Sequence, residues 1–275
     1  MFMNFRVSRW IATAGAVFAL LAMTFAADAQ ERRERGSILL GAFITDRDTE
    51  TRLDSDAGDG TDLDLEDDLG FETSTSVARF GGYYWFNERH RLDVSYFDLS
   101  RDASKRIEET INFGDKVFNI NTVVTAENDL TIYKIDYTWA ALSRDRGYLG
   151  LVGGLYIGEI GMSLSEPTLG TAESESVTAP LPVIGLRGEY AVGEHWTLRG
   201  AAQWFGITVD DVSGTLRDMY FGGDYAFGER TSVGLAYNLV SMGIEVDKPR
   251  GFDGRVDWGY DGYLLYVKVN FGESR

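Results

Sequence analysis

Apolar and polar residues alternate with a period of two through most of this chain, which is the mark of half-buried β-strands rather than helices. Over residues 90–101, Leu92, Val94 and Tyr96 share one face while Arg91, Asp93 and Ser95 share the other. Tyr133, Ile135, Tyr137 and Trp139 stand opposite Lys134, Asp136 and Thr138 in the same way. The pattern recurs with Leu149, Leu151, Leu155 and Ile157, then with Ile184, Leu186, Tyr190 and Val192 opposite Arg187 and Glu189. Trp196, Leu198, Ala202 and Trp204 oppose Arg199 and Gln203, and Met219, Phe221, Tyr225 and Phe227 oppose Asp218 and Asp224. Val233, Leu235, Tyr237 and Leu239 oppose Ser232, Ala236 and Asn238; the last segment sets Tyr263, Leu265, Val267, Val269 and Phe271 against Tyr266, Lys268 and Asn270.

A soluble sandwich also alternates, so the connections between segments decide the architecture. Four are tight and polar, at Asn87-Glu88-Arg89, Ser143-Arg144-Asp145-Arg146, Gly193-Glu194 and Gly228-Glu229. Between them come longer excursions at 46–73, 102–127, 166–180, 210–215 and 246–257. Short turns on one side and long loops on the other characterise a transmembrane antiparallel up-and-down β-barrel, with the short turns facing the periplasm. The expected spans are 37–46, 74–86, 90–101, 128–142, 147–160, 181–192, 195–208, 215–227, 230–243 and 258–271. They make ten strands, with eight or twelve as alternatives. Ile107, Ile111 and Phe113 alternate, as do Phe118, Ile120 and Val124, around Gly114-Asp115-Lys116. Two further spans there would push one of the adjacent Glu108 and Glu109 carboxylates into lipid, so 102–127 is expected to be an extracellular hairpin extending strands three and four.

The N-terminus carries Arg6 and Arg9, an apolar run from Ile11 to Phe25, and the small-residue ending Ala27-Asp28-Ala29. That order is a secretory signal, so residues 1–29 are expected to be removed, leaving one barrel domain over 30–275. The chain has no Cys, so strand pairing and burial must supply the stability. Its net charge of −17 argues against nucleic acid, which requires a basic surface.

The run Asp67-Asp68-Leu69-Gly70-Phe71, followed by Tyr83-Tyr84-Trp85-Phe86-Asn87-Glu88-Arg89-His90-Arg91-Leu92, resembles small Gram-negative outer-membrane barrels of the outer-membrane protein W class. The resemblance implies location in the cell outer membrane and passage through the barrel-assembly machinery. It implies no specific activity. Such barrels usually end on an aromatic residue; here Phe271 is followed by Gly272-Glu273-Ser274-Arg275.

Candidate chemistry is sparse. The two histidines, His90 and His195, follow tight turns at the expected periplasmic rim, where Asp93 or Glu194 could partner a general base. A surface hydrolase would need such a base at the opposite, extracellular rim, so the chain is expected not to be an enzyme. The loop 46–73 is densely acidic, and Asp54, Asp56, Asp59 and Asp62 are loosely spaced like Ca²⁺ ligands, without the EF-hand glycine and glutamate. A solvated loop beside a divalent-bridged lipopolysaccharide surface explains the same residues. No cofactor is expected.

Strand parity places Arg79, Arg91, Lys134, Arg187, Arg199 and Lys268 in the lumen with Asp93, Asp136, Glu189, Asp218 and Asp224. Ten strands enclose little more space than the eight whose interior side chains can fill. A paired network and a narrow or plugged lumen are therefore expected. The expected role is structural or surface-interacting, with passage of a small solute as the alternative.

Overall fold

The computed structural model describes residues 34–54, 60–168, 170–209, 212–246 and 254–272. The signal segment 1–29 and loop residues Asp56 and Asp59 lie outside them. The strands among the described residues are β1 (Gly36–Leu53), β2 (Leu63–Asp64), β3 (Ser74–Trp85), β4 (His90–Asp98), β5 (Arg101–Arg106), β6 (Ile111–Phe113), β7 (Lys116–Phe118), β8 (Val123–Arg144), β9 (Gly147–Glu166), β10 (Thr171–Val192), β11 (Trp196–Val209), β12 (Val212–Ala226), β13 (Thr231–Val246) and β14 (Gly254–Phe271). Ten positions ring the barrel in chain order, because β4 and β5 share one position against β8, β2 is an appendage of β1, and β6–β7 form a separate hairpin. The ring closes by pairing the first strand with the last, from Gly36↔Phe271 to Leu53↔Gly254. The eight- and twelve-strand alternatives are thereby excluded.

The outer wall carries an apolar belt. Ile38, Leu40, Ile44, Leu151, Ile184, Phe221, Leu235, Leu265 and Val267 are exposed around the circumference. Aromatic rings collect at its edges, Tyr96, Tyr133, Trp204 and Tyr263 above and Phe86, Trp139, Trp196 and Phe227 below. An apolar band between aromatic girdles is the exterior of a membrane-spanning barrel. No helix among the described residues is long and apolar enough to cross a membrane, so the strands do so.

The belt ends abruptly. On β1 the outward face changes from Ile44 to Asp46, Asp48 and Glu50; on β8 from Tyr133 to Asp129 and Glu127; on β9 from Ile157 to Glu159. Above this line the inward face becomes apolar: Leu130 and Ile132 on β8, Ile160, Met162 and Leu164 on β9, Val240 to Val246 on β13, and Val256, Trp258 and Tyr260 on β14. Alternation continues with its faces exchanged. Water now lies outside the wall and a packed core lies inside it.

Four loop boundaries are corrected. Residues 46–53 belong to β1, most of 166–180 belongs to β9 and β10, 212–215 belong to β12, and the ends of 246–257 belong to β13 and β14. The strands β8 and β10 each run 22 residues, about twice what a tilted strand needs to cross the bilayer. The upper half of the wall therefore stands outside the membrane. The hairpin 102–127 extends the wall through β5 on β8, as expected. Its tip, β6–β7, turns at Gly114 (φ +56°) and folds across the mouth, where Gly114 N–H donates to Leu53 O.

Two ladders stop short at the top of the belt, β3–β4 at Arg79↔Phe97 and β10–β11 at Ile184↔Trp204. The second stops although β11 continues to Val209. The β9–β10 ladder runs unbroken through Pro180↔Ile157 and Pro182↔Leu155. Alternate residues of a strand address alternate neighbours, so both proline nitrogens face β11, and neither has a hydrogen to donate. A notch in the wall follows.

The belt assignment is testable. Leu265→Arg, at an exposed belt position, should lower the stability of the barrel refolded in lipid by about 2–4 kcal/mol. Asp129→Arg, outward but above the belt, should change it by under about 0.5 kcal/mol. Equal effects in a denaturant titration would show that the belt is drawn at the wrong height.

Candidate functional site

Below the exchange of faces, the lumen holds the charged side chains that strand parity assigns to it, and all eleven point inward. Arg91 on β4 binds Asp93 beside it and Glu189 on β10, at 2.5 Å each. Its guanidinium lies 3.7 Å over the Tyr83 ring and donates to the Tyr148 hydroxyl at 2.9 Å. Arg187 reaches from β10 across the lumen to Asp93 on β4 and to Asp136 on β8, the latter at 2.6 Å. Gly154 stands next to Asp136, where a larger side chain would collide with that carboxylate.

A second group continues around the wall. Arg199 on β11 bridges Glu189 at 3.2 Å and Asp224 on β12 at 2.7 Å, and Lys268 on β14 binds Asp224 at 2.5 Å. Tyr266 donates its hydroxyl to the same carboxylate. Lys134 pairs with Asp218 and donates to Gln203 Oε1 at 3.1 Å. Asn238 donates to Asp218 Oδ1 and accepts from Arg79 Nη1, both at 2.7 Å. Salt bridges therefore tie together strands that are not neighbours. Breaking one member of such a buried set costs more than a surface pair, because its partner is left charged in a low dielectric.

Parity picked out the charged members because lumen residues differ from belt residues by one position. It put Ser95, Asn238 and Tyr266 on the same faces without giving them a role and passed over Tyr148; these uncharged groups complete the hydrogen bonds. Ten of the eleven charged residues line a central cavity of about 130 Å³; Asp224 sits behind Lys268 and Arg199.

Packed tiers lie on both sides of this network. Below it, Trp85 meets Tyr148 edge to face at 5.0 Å, with Tyr83 and Ala140 in the same cluster. Above it, Phe43 packs edge-on against Phe97 and Tyr260, within a cluster that includes Leu130, Ile132, Leu216 and Trp258. At the mouth, Leu65, Leu69 and Phe71 join Ile107, Phe113 and Phe118 of the folded-in hairpin over Leu53, Val124 and Leu164. Arg101 secures this cap, 2.5 Å from Glu66 and over the Phe71 ring.

The other candidates take no part in this network. His90 contacts the Tyr137 hydroxyl and His195 stacks on Tyr225, both at the short-turn end. Asp54 is bound by Arg52 at 2.7 Å and accepts from the Gly60 N–H at 2.9 Å, and Asp62 faces Arg52 and Arg255. The two described members of the Ca²⁺ candidate set are thus occupied by arginines. Among the described residues no group of three or more His, Asp or Glu is placed to hold a metal ion.

No protein-family model matches the chain, and no curated protein matches it in sequence. Solved structures do. The outer membrane protease OmpT from Escherichia coli superposes with a TM-score of 0.56 at 11% identity, covering 90% of this chain and all of that one. Ail, the attachment invasion locus protein of Yersinia pestis, is 11% identical with a TM-score of 0.38, covering 84% of this chain and 99% of its own. The Pseudomonas putida toluene transporter TodX is 10% identical with a TM-score of 0.32, covering 90% and 91%. At 11% identity the OmpT superposition speaks to the fold alone. The chain has the fold of a Gram-negative outer-membrane β-barrel. Together with the lipid-facing belt, this defines an integral outer-membrane protein.

Two measurements address these side chains. Arg187→Ala leaves Asp136 without its cation and Asp93 with Arg91 alone, and should destabilise the refolded barrel by about 3–5 kcal/mol. A loss under about 1 kcal/mol, the size typical of surface pairs, would show that the network is hydrated and loose. The second concerns the rim, where the hydrogen bond from Arg52 holds the Asp54 carboxyl below the usual carboxylate range. A lowered folded-state value makes this clamp fully present above the ordinary aspartate pKa of about 3.9 and lost as pH falls below it. Protection of the Gly60 amide from hydrogen exchange should fade in that acid window, and Arg52→Ala should move the loss to higher pH.

Proposed function

We propose that the protein is a non-catalytic surface barrel that presents a tall acidic wall outside the cell while its lumen stays shut. The carrying observation is the sequence of packed tiers inside the barrel: the Trp85–Tyr148 floor, the ion-pair network, the Phe43–Tyr260 layer and the hairpin cap. A lumen filled in this way leaves the outer surface as the place where the protein meets other molecules. Above the belt that surface carries Asp46, Asp48, Asp129, Glu127 and Glu159. Its chemistry suits cationic partners and the divalent cations that bridge lipopolysaccharide, with the girdle residues Trp204 and Arg217 at the headgroup level.

OmpT is a protease. In this chain both imidazoles sit at the short-turn end, so a hydrolytic site at the extracellular rim would have to work without histidine. That supports the non-catalytic reading.

Conductance across planar bilayers tests the closed lumen. Wild-type protein should show no steady open level, and replacing the cap residues 108–119 by a short turn should leave it still closed, because the network and the aromatic layer lie beneath. A steady, ion-selective wild-type conductance would overturn the closed barrel and establish passage of a small solute. Orientation is checked in whole cells with single-cysteine variants, since the chain has no native Cys. A membrane-impermeant maleimide should label Glu175→Cys on intact cells, and Glu194→Cys only after the outer membrane is permeabilised.

A further inference from the structure

The ion-pair layer contains six cations, Arg79, Arg91, Lys134, Arg187, Arg199 and Lys268, against five carboxylates, Asp93, Asp136, Glu189, Asp218 and Asp224. Ion pairs account for five of the cations. Arg79 is the sixth, and it is held by neutral groups: Ser95 Oγ at 3.1 Å, Asn238 Oδ1 at 2.7 Å, and the rings of Phe97 and Phe43. The layer therefore carries one uncompensated positive charge, buried to 7% exposure. Glu34 lies below, at the short-turn end, where it accepts a hydrogen bond from Tyr83.

Buried donors are in surplus too. Arg199 Nη2, Arg187 Nε and Gln203 Nε2 are shielded from solvent and have no hydrogen-bond partner. The orientation of Gln203 is fixed by chemistry: Lys134 can only donate, so the amide must offer it oxygen and keep both of its own hydrogens unspent. Arg199 and Gln203 flank Ala201 on the inward face of β11, and all three line the central cavity. Small inward residues, Ser37, Gly81, Ser95 and Ala201, leave about 130 Å³ there. That is room for several water molecules.

Water alone would satisfy the donors but would leave the charge unbalanced in a low dielectric. We propose that this cavity binds one small inorganic oxyanion, of the size of phosphate or sulfate, which neutralises the layer and accepts from Arg199, Gln203 and Arg187. The one unpaired acceptor lining the cavity, Asp136 Oδ1, favours a hydrogen-bearing anion such as hydrogen phosphate, whose O–H can donate to it. The low dielectric rests on the closed-barrel reading; anion binding is measured by calorimetry and closure by conductance, so the two failures are distinguishable.

The test is titration calorimetry of the folded full-length barrel in zwitterionic detergent, with sodium phosphate and sodium sulfate as probes at constant ionic strength. The expected result is saturable binding of one anion per barrel, together with a rise in thermal midpoint that saturates over the same range. Gln203→Glu places a resident carboxylate beside Lys134 and should weaken the binding at least tenfold. Ala201→Val occupies the space without altering charge and should do the same; it decides the matter if the first variant does not fold. Absence of saturable binding to the wild type, or undiminished affinity in the folded variants, would overturn the proposal.

Discussion

Every backbone N–H and C=O that enters hydrocarbon must be hydrogen-bonded within the protein, because the bilayer core offers no water. This constraint organises the molecule. It is met by bringing the first strand against the last over the full eighteen residues of β1. Closure in turn creates an inside that lipid cannot reach, and ten strands make that inside narrow. Long cationic side chains placed there have to find carboxylates across the lumen. Arg187 does so on two other strands at once. The ion-pair layer thus follows from closure and also reinforces it, since it links staves that share no ladder.

The belt strands were legible in the sequence because lipid imposes one rule on them: apolar residues outside, polar residues inside. That rule located the ten positions and the four tight turns. It failed where lipid ends. On β8 the apolar parity passes from Tyr133 and Ile135 to Ile132 and Leu130, and on β9 from Ile157 to Ile160, so a reader following one face sees the pattern stop and infers a loop. The chain continues as strand, with water and core exchanged. The end of β1 was harder still, because Asp46 to Arg52 has no apolar residue on either face; its strand character comes from pairing with β14, more than two hundred residues away.

The interior was legible in the same partial way. One-residue parity was enough to collect the arginines, lysines and carboxylates, because a charge on the lipid face would be expelled. It could not say which cation meets which anion, because that depends on the curvature that brings β4, β8 and β10 together. It also gave no sign that the cap would be the tip of a loop. Ile111, Phe113 and Phe118 read as a short hairpin, but only the mouth formed by Leu53, Val124 and Leu164 gives their apolar faces somewhere to go.

The shortened ladder beside Pro180 and Pro182 has a mechanical consequence. The β3–β4 ladder also stops early, at Arg79↔Phe97, but the region above it is stitched by Arg47 to Leu99 O and by Arg101 to Glu72 O. The gap between β10 and β11 is met mainly by apolar side chains, with Leu181 and Phe205 both drawn up to Gly214. A tube whose terminal strands are bonded along their whole length, and whose wall is slit at one other place, yields at the slit. Under thermal or mechanical load the β11–β12 hairpin should swing first, like a short stave loosened from its hoop, while the joint between the two ends of the chain holds.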